Sequence, residues 1–303
     1  MSEPSYDVIV IGEGVSGLTA AGTLALFGLK VATIEAQLFG GLVVNINELE
    51  PPLEGKPASG AELAAEMMQA NAEAGIASIQ EPVTAVRAGA GSKEVKTESG
   101  TYRARHVVVA TGARLKKLEV PGGAHYEGRG VSQCADCDGP MYQNEDVIVV
   151  GGGDSALQEA LVLARYCRRV HLVHRRSEFR GAAHFVDQVQ KNEKISVIWN
   201  ATVEAILGAQ MVEKARVKHA DGQVEELPCA GVFAYIGLEP NSDFLPSDVV
   251  RDGTGGVKTD ETFQTSVAGI WAIGAVRSGY EGTLTDAMNE ARGAAEAIKT
   301  RLT

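Results

Sequence analysis

Two cysteines three positions apart, Cys134-Ala-Asp-Cys137, are the residues of this chain whose type and spacing point most directly to chemistry. Thiols at this spacing close a small ring that forms and breaks reversibly. A structural zinc site normally needs two further ligands nearby. Asp136, Asp138, His125 and His106 are neighbours in sequence, but there is no second Cys-x-x-Cys. The pair therefore reads as a redox-active centre, and no metal is expected. Asp138 follows the pair directly, and a carboxylate beside a thiol can donate or accept the proton. Its alternative reading is a turn residue in Asp-Gly-Pro. Cys167 and Cys229 sit in apolar surroundings and read as buried small hydrophobes.

Two glycine clusters offer a second chemistry. Gly12-Glu-Gly-Val-Ser-Gly17 follows an apolar run and opens a helix-length stretch. Glycines at this spacing allow a tight turn and let the backbone approach a pyrophosphate, whose charge the helix N-terminus favours. Glu35 ends the next apolar run, at the distance expected for an acid that binds a ribose 2′-hydroxyl. Gly151-Gly-Gly-Asp-Ser-Ala156 repeats the pattern, but its second strand ends in His174-Arg175-Arg176, with Arg180 close behind. Arginines there attract a 2′-phosphate that an acid would repel. The contrast assigns FAD to the first cluster and NADPH to the second. The plainer readings are an ordinary strand–helix turn and a solvated basic loop.

The elements that must carry these groups form a pattern of their own. Tyr6–Gly12 and Asp146–Gly151 are short apolar runs ending in glycine, as buried parallel strands do. Each is followed by a helix-length stretch and a second apolar strand, Lys30–Glu35 or Arg169–Val173. Val107–Ala113, Gly231–Gly237 and Gly269–Gly274 are further strands that run into glycine, and Thr283–Arg301 reads as a closing helix. The expected fold is α/β, with two Rossmann-like dinucleotide-binding domains, one inserted into the other. Residues 1–115 and 244–303 would form the outer, FAD-binding domain. Residues 116–243 would form the inner, NADPH-binding domain that carries the Cys pair. A length of 303 residues suits two domains.

The net charge of −11 argues against nucleic acid as a partner. Met1-Ser2-Glu3-Pro4 carries an acid and a proline where a signal peptide would be basic. The longest uncharged apolar stretch, Gly14–Leu29, is too short to span a bilayer. A cytoplasmic protein without membrane contact is expected.

Gly128–Gly139, Gly151–Ala160 and His171–Arg176, in that order, resemble bacterial thioredoxin reductase of the low-molecular-weight type, a class II pyridine nucleotide-disulfide oxidoreductase. The similarity covers nearly the whole chain. It implies electron flow from NADPH through FAD to Cys134–Cys137 and on to an external disulfide, by rotation of the NADPH domain in a homodimer. Cys137 would lie nearer the flavin, Cys134 would attack the substrate, and Asp138 would move the proton. Gly12, Gly14, Ser16, Gly17, Glu35, Gly40, Gly41, Ala110, Thr111, Gly112, Gly274 and Ala275 would line the FAD site. Gly151, Gly153, Asp154, Ser155, His174, Arg175, Arg176 and Arg180 would line the NADPH site.

The chain departs from the family pattern at four places. Gly-Gly-Gln in the flavin loop is Gly40-Gly41-Leu42. The Asp that holds the ribityl chain is Ala275. The Arg-Gln-Ala stretch over the flavin corresponds to Glu281-Gly282-Thr283. The aromatic pair that helps dock thioredoxin is replaced by Pro140-Met141. The partner is accordingly a thioredoxin-like or other disulfide. The rival readings are a same-fold flavoprotein with a different donor or acceptor, such as a dithiol oxidase or a partner-protein-linked enzyme, and a flavin-binding electron-transfer or sensor subunit.

Overall fold

The computed structural model describes residues 5–46, 49, 59–89 and 91–302. The chain divides into two units, Met1–Arg114 with Glu239–Thr303, and Leu115–Leu238.

The first unit opens with β1 (Ser5–Ile11), α1 (Val15–Leu26), β2 (Val31–Glu35), α2 (Gly60–Glu73) and β3 (Ala77–Gln80). A hairpin of β4 (Val83–Ala88) and β5 (Lys93–Thr97) leads into β6 (Thr101–Val109) and the short β7 (Ala113–Leu115). The second unit holds β8 (Val131–Ser132), α3 (Ala135–Asp138), β9 (Asp146–Gly151), α4 (Asp154–Tyr166), β10 (Arg169–His174) and α5 (Ala183–Lys191). It continues through β11 (Ile195–Trp199), β12 (Ala201–Leu207), β13 (Lys214–His219), β14 (Val224–Pro228) and β15 (Gly231–Tyr235). After β16 (Leu238–Pro240) the chain completes the first unit with β17 (Ile270–Ala272) and α6 (Leu284–Leu302).

In the first unit the sheet runs β3-β2-β1-β6, with β5 and β17 both bonded to β6 and β4 beyond β5. Strands β3, β2, β1, β6 and β17 are parallel. Alternation along β1 splits its side chains between two cores. Val8 and Val10 pack under α1 and α6 with Leu24, Ala291, Ala294 and Ile298. Ile9 and Ile11 pack on the opposite face with Ile34, Val107 and Ile270. The alanines of α6 recur at helical spacing, so its backbone approaches α1 closely. Each large aliphatic side chain buried here contributes roughly 1.5–3 kcal/mol. The start of α2 is set by a capping box in which Ser59 and Glu62 satisfy each other's backbone N–H.

The second unit has a fully parallel sheet, β11-β10-β9-β15-β8, and an antiparallel β12-β13-β14. Val147 and Val149 face α4 and meet Leu157, Leu163 and Phe233. Ile148 and Val150 face the antiparallel strands and meet Val203, Ile206 and Val217. The return crossing falls at Glu239, earlier than residue 244. The cause is local: β16 pairs with β7, and the Asn241 amide donates to the Thr111 carbonyl at 3.0 Å. Among the described residues, no helix is long and apolar enough to cross a membrane.

Candidate active site

In the first unit, four stretches separated in sequence meet at the C-terminal end of the parallel strands. Gly12 has φ +104°, and a Cβ there would strike the Ala110 carbonyl. A Cβ on Gly17 would strike the Gly12 carbonyl, so α1 starts hard against the turn. Gly14 bridges to Gly40, whose N–H donates to the Glu13 carbonyl at 2.7 Å. A Cβ on Gly274 would meet the Ser16 hydroxyl. Gly14 itself has only the Gly40 carbonyl near its Cβ position, at 3.8 Å. Two glycines are thus packed shut, and the one between them stays open. This is the cradle a pyrophosphate needs, at the uncapped N-terminus of α1.

Glu35 is oriented by two backbone donors, Glu13 N–H at 2.8 Å and Gln37 N–H at 3.0 Å. The Glu13 side chain is fully buried (0% exposed). It accepts hydrogen bonds from Thr33 at 2.5 Å, Ser78 at 2.6 Å and Gln80 at 3.4 Å. Thr111 accepts from and donates to Asn241, and Gly112 accepts the Asn241 N–H. Leu42 is exposed, and Ala275 offers no polar side chain. Beside Ala275, the Gly274 N–H donates to Glu290 at 2.8 Å.

The second unit repeats the cradle and opens it into a cavity of about 610 Å³. A Cβ on Gly151 would strike the Tyr235 carbonyl, and one on Gly152 would enter the His174 ring, whereas Gly153 has nothing within 4 Å. Again the open glycine is the N-cap of a helix, α4, and it has no side-chain cap. His174 is buried and held by the Glu178 carbonyl at 2.9 Å. Arg175, Arg176 and Arg180 line the cavity and form no ion pair among the described residues. Asp154 accepts the Ala182 N–H at 2.6 Å, and Ser155 lies in the same wall. Lys116, Ile236 and Gly237 also line the cavity. Sequence reading missed Lys116 and Ile236, which no glycine or charge pattern marks, and took Gly237 only as the glycine that ends a strand.

In the same unit, Cys134 and Cys137 are joined by a disulfide, with their Cα atoms 5.3 Å apart. Cys134 is the N-cap of α3, its sulfur accepting the Cys137 N–H at 3.2 Å. Its own N–H donates to the Ser132 hydroxyl at 3.1 Å. Cys137 is exposed and Asp138 half-buried. The Asp138 N–H closes the turn on the Cys134 carbonyl at 3.1 Å. Cys167 and Cys229 are buried, and desolvation pushes their thiols up to about 11 and about 12. They are inert beside the 134–137 pair.

Two open dinucleotide cradles and one accessible cysteine pair define a dithiol oxidoreductase fed by a nucleotide cofactor. The chain belongs to the pyridine nucleotide-disulphide oxidoreductase family, whose sequence profile matches residues 6–295. It is 40% identical over 278 residues to the thioredoxin reductase of Treponema pallidum, covering 91% of this chain and 90% of that protein. It is 35% identical over 277 residues to that of Bacillus subtilis, covering 91% and 88%. The crystal structure of Lactococcus lactis thioredoxin reductase superposes with a TM-score of 0.93 at 34% identity, over 97% of this chain and 98% of that one. The protein is thus an oxidoreductase of the thioredoxin reductase type that uses NADPH and FAD.

Proposed function

We propose that this protein reduces the disulfide of a thioredoxin-like partner, with FAD on the first unit and NADPH on the second. The observation that carries this reading is the sharing of one unit by a cation-lined cavity at the head of α4 and the disulfide at the head of α3. NADPH and FAD, when bound, supply the hydride chemistry that turns nicotinamide oxidation into an electron pair for sulfur.

The chain's own residues bind, orient and move protons. Arg175, Arg176 and Arg180 hold a 2′-phosphate, and His174 fixes the Gly152 backbone against which the nucleotide lies. The amides at Gly153, Asp154 and Ser155 receive the pyrophosphate. Gly12, Gly14, Ser16 and Gly17 do the same in the first unit. Gly40, Gly41, Ala110, Thr111, Gly112, Gly274 and Ala275 form the surrounding wall there. Glu35, pre-aimed by two N–H donors, takes a ribose hydroxyl. Once reduced, Cys134 attacks a partner sulfur as thiolate, and the partner's other sulfur leaves with a proton from Asp138. The Asp138 carboxylate then takes the Cys137 proton, and the Cys137 thiolate attacks the Cys134 sulfur, re-forming the ring and releasing the partner's second sulfur as thiolate.

Resemblance to the family supports a homodimer in the cytoplasm. Met141 is 71% exposed, whereas Tyr142 is buried against Phe233. The partner therefore meets a methionine rather than an aromatic ring beside the cysteines, and a flexible thioether suits more than one partner. Anaerobic titration with NADPH, followed by visible absorbance, tests the relay. Bleaching of the flavin followed by recolouring on addition of oxidised thioredoxin is the expected result. A protein that NADPH leaves yellow would sink the NADPH assignment.

A further inference from the structure

Glu159 lies on α4, outside the lining of the nucleotide cavity. One of its carboxylate oxygens accepts the Ala135 N–H at 3.0 Å and the Tyr235 hydroxyl at 3.2 Å. Ala135 is fully buried and directly follows Cys134. The carboxylate is therefore bound one peptide unit from the sulfur-bearing residue, with no cation on it among the described residues. The disulfide is uncharged and tolerates an anion at this place. A thiolate does not, because two like charges in a poorly solvated region raise each other's proton affinity.

We propose that Glu159 is a positioning residue of the dithiol centre that takes up a proton when the Cys134–Cys137 bond breaks, a role that rests on the disulfide-reductase reading above. Two electrons supplied by NADPH enter the S–S bond and cleave it. One proton goes to one sulfur, the other sulfur stays as thiolate, and a second proton neutralises the Glu159 carboxylate. When substrate reoxidises the pair, that proton is released. Tyr235 keeps its own proton, since burial and the Glu159 charge both push its phenol up. Burial likewise pushes the Glu159 carboxyl up, against the Ala135 and Tyr235 hydrogen bonds, and Asp136 adds to the rise.

Other titratable groups face the centre from every element packed around it, and Glu159 is set apart from them by its bonds to the Ala135 N–H and the Tyr235 hydroxyl. On α3 they are Asp136, Asp138 and the two sulfurs, and the following turn adds Tyr142. On β9, Asp146 is paired with Arg168. On β10, Arg169 is exposed, His171 is bonded to Ser196 and His174 to the Glu178 carbonyl. On α5 they are His184, Asp187 and Lys191, and β11 carries none. Asp154, Arg165 and Tyr166 share α4 with Glu159.

The test is the equilibrium of the holoenzyme's cysteine pair with oxidised and reduced dithiothreitol, from about pH 5 to 9. The pair is acid-quenched, alkylated and quantified by mass spectrometry of the peptide that holds it. The wild type should show an interval in which its equilibrium constant changes up to about tenfold more per pH unit than that of Glu159→Gln, one extra proton's worth. Tyr235→Phe removes a donor to the carboxylate and should move that interval to higher pH. Parallel curves for wild type and Glu159→Gln would overturn the proposal. If the Gln variant does not fold, an interval unmoved in Tyr235→Phe would do the same. A pair that dithiothreitol reduces but NADPH does not would instead sink the relay, leaving the proton count to be read by itself.

Discussion

Glu290 of α6 reaches back to accept the Gly274 N–H at 2.8 Å, and its other oxygen takes the Arg277 guanidinium. The Gly274 turn touches Ser16 of the first glycine loop. A buried acid on the closing helix thus holds the turn in which the family pattern places an aspartate and this chain has Ala275. Arg277 is half-buried and lies over Phe263, so removing Glu290 would strand its charge. Glu290→Ala should cost about 3 kcal/mol of stability and release FAD during gel filtration. Glu290→Gln, which keeps an acceptor for Gly274, should retain more flavin. Thermal unfolding and the absorbance ratio of flavin to protein check both. Equal flavin retention in the two variants would show that the turn does not depend on this bond.

Nucleotide choice should rest on the three arginines of the second cavity. Each charge-assisted hydrogen bond to a 2′-phosphate is worth about 1.5–3 kcal/mol, roughly ten- to a hundredfold. Arg176→Ala and Arg180→Ala should each raise KM for NADPH by that factor and leave KM for NADH nearly unchanged. Steady-state rates with both nucleotides decide the matter. A parallel loss with NADH would mean that the arginines hold the pyrophosphate instead.

The division of labour between legible and hidden features has a physical basis. The parallel strands were readable because both of their faces are buried, which leaves uninterrupted apolar runs such as Val8–Ile11 and Val147–Val150. The glycine turns were readable because backbone geometry there excludes other residues. The cysteine pair is local in sequence. Contacts between distant polar groups leave no such trace. Glu13 finds Thr33, Ser78 and Gln80, and Glu159 finds Ala135 and Tyr235, across strands whose order sequence alone does not give. The crossing at Glu239 depends on the β7–β16 pairing and on Asn241, neither of which changes the hydrophobic pattern.

The two halves of the reaction should separate by mutation. In the proposed relay, Cys134→Ser leaves the arginine-lined cavity untouched and removes the attacking sulfur. Flavin bleaching by NADPH should persist, while disulfide turnover falls by on the order of a thousandfold or more. Asp138→Asn keeps the side-chain shape and loses the titratable oxygen, so turnover should fall by about a hundredfold or more. Stopped-flow absorbance reads the first half and thioredoxin-coupled turnover the second. Normal turnover in Asp138→Asn would return Asp138 to the role of a turn residue.

Acid sensitivity should originate partly at His106, far in sequence from any cysteine chemistry. Its Nδ1 accepts the Trp271 indole N–H at 3.1 Å, so that nitrogen must be unprotonated in the fold. Burial, and then the charges of Lys93, Arg105 and Arg301, lower its pKa to about 4. In the unfolded chain a histidine titrates near 6.5. Between these values the unfolded chain binds the proton more readily. The contribution is therefore complete above about pH 6.5, declines as pH falls, and is gone below about pH 4. The ring is only half-buried, so after solvent screening about 1 kcal/mol is at stake, or ~2 °C in Tm for a chain of this size. His106→Asn offers Trp271 an acceptor that does not titrate. Its Tm should fall less than the wild type's between pH 7 and 4.5, and its tryptophan fluorescence should change less over the same range. Identical pH slopes in the two proteins would place the acid sensitivity elsewhere.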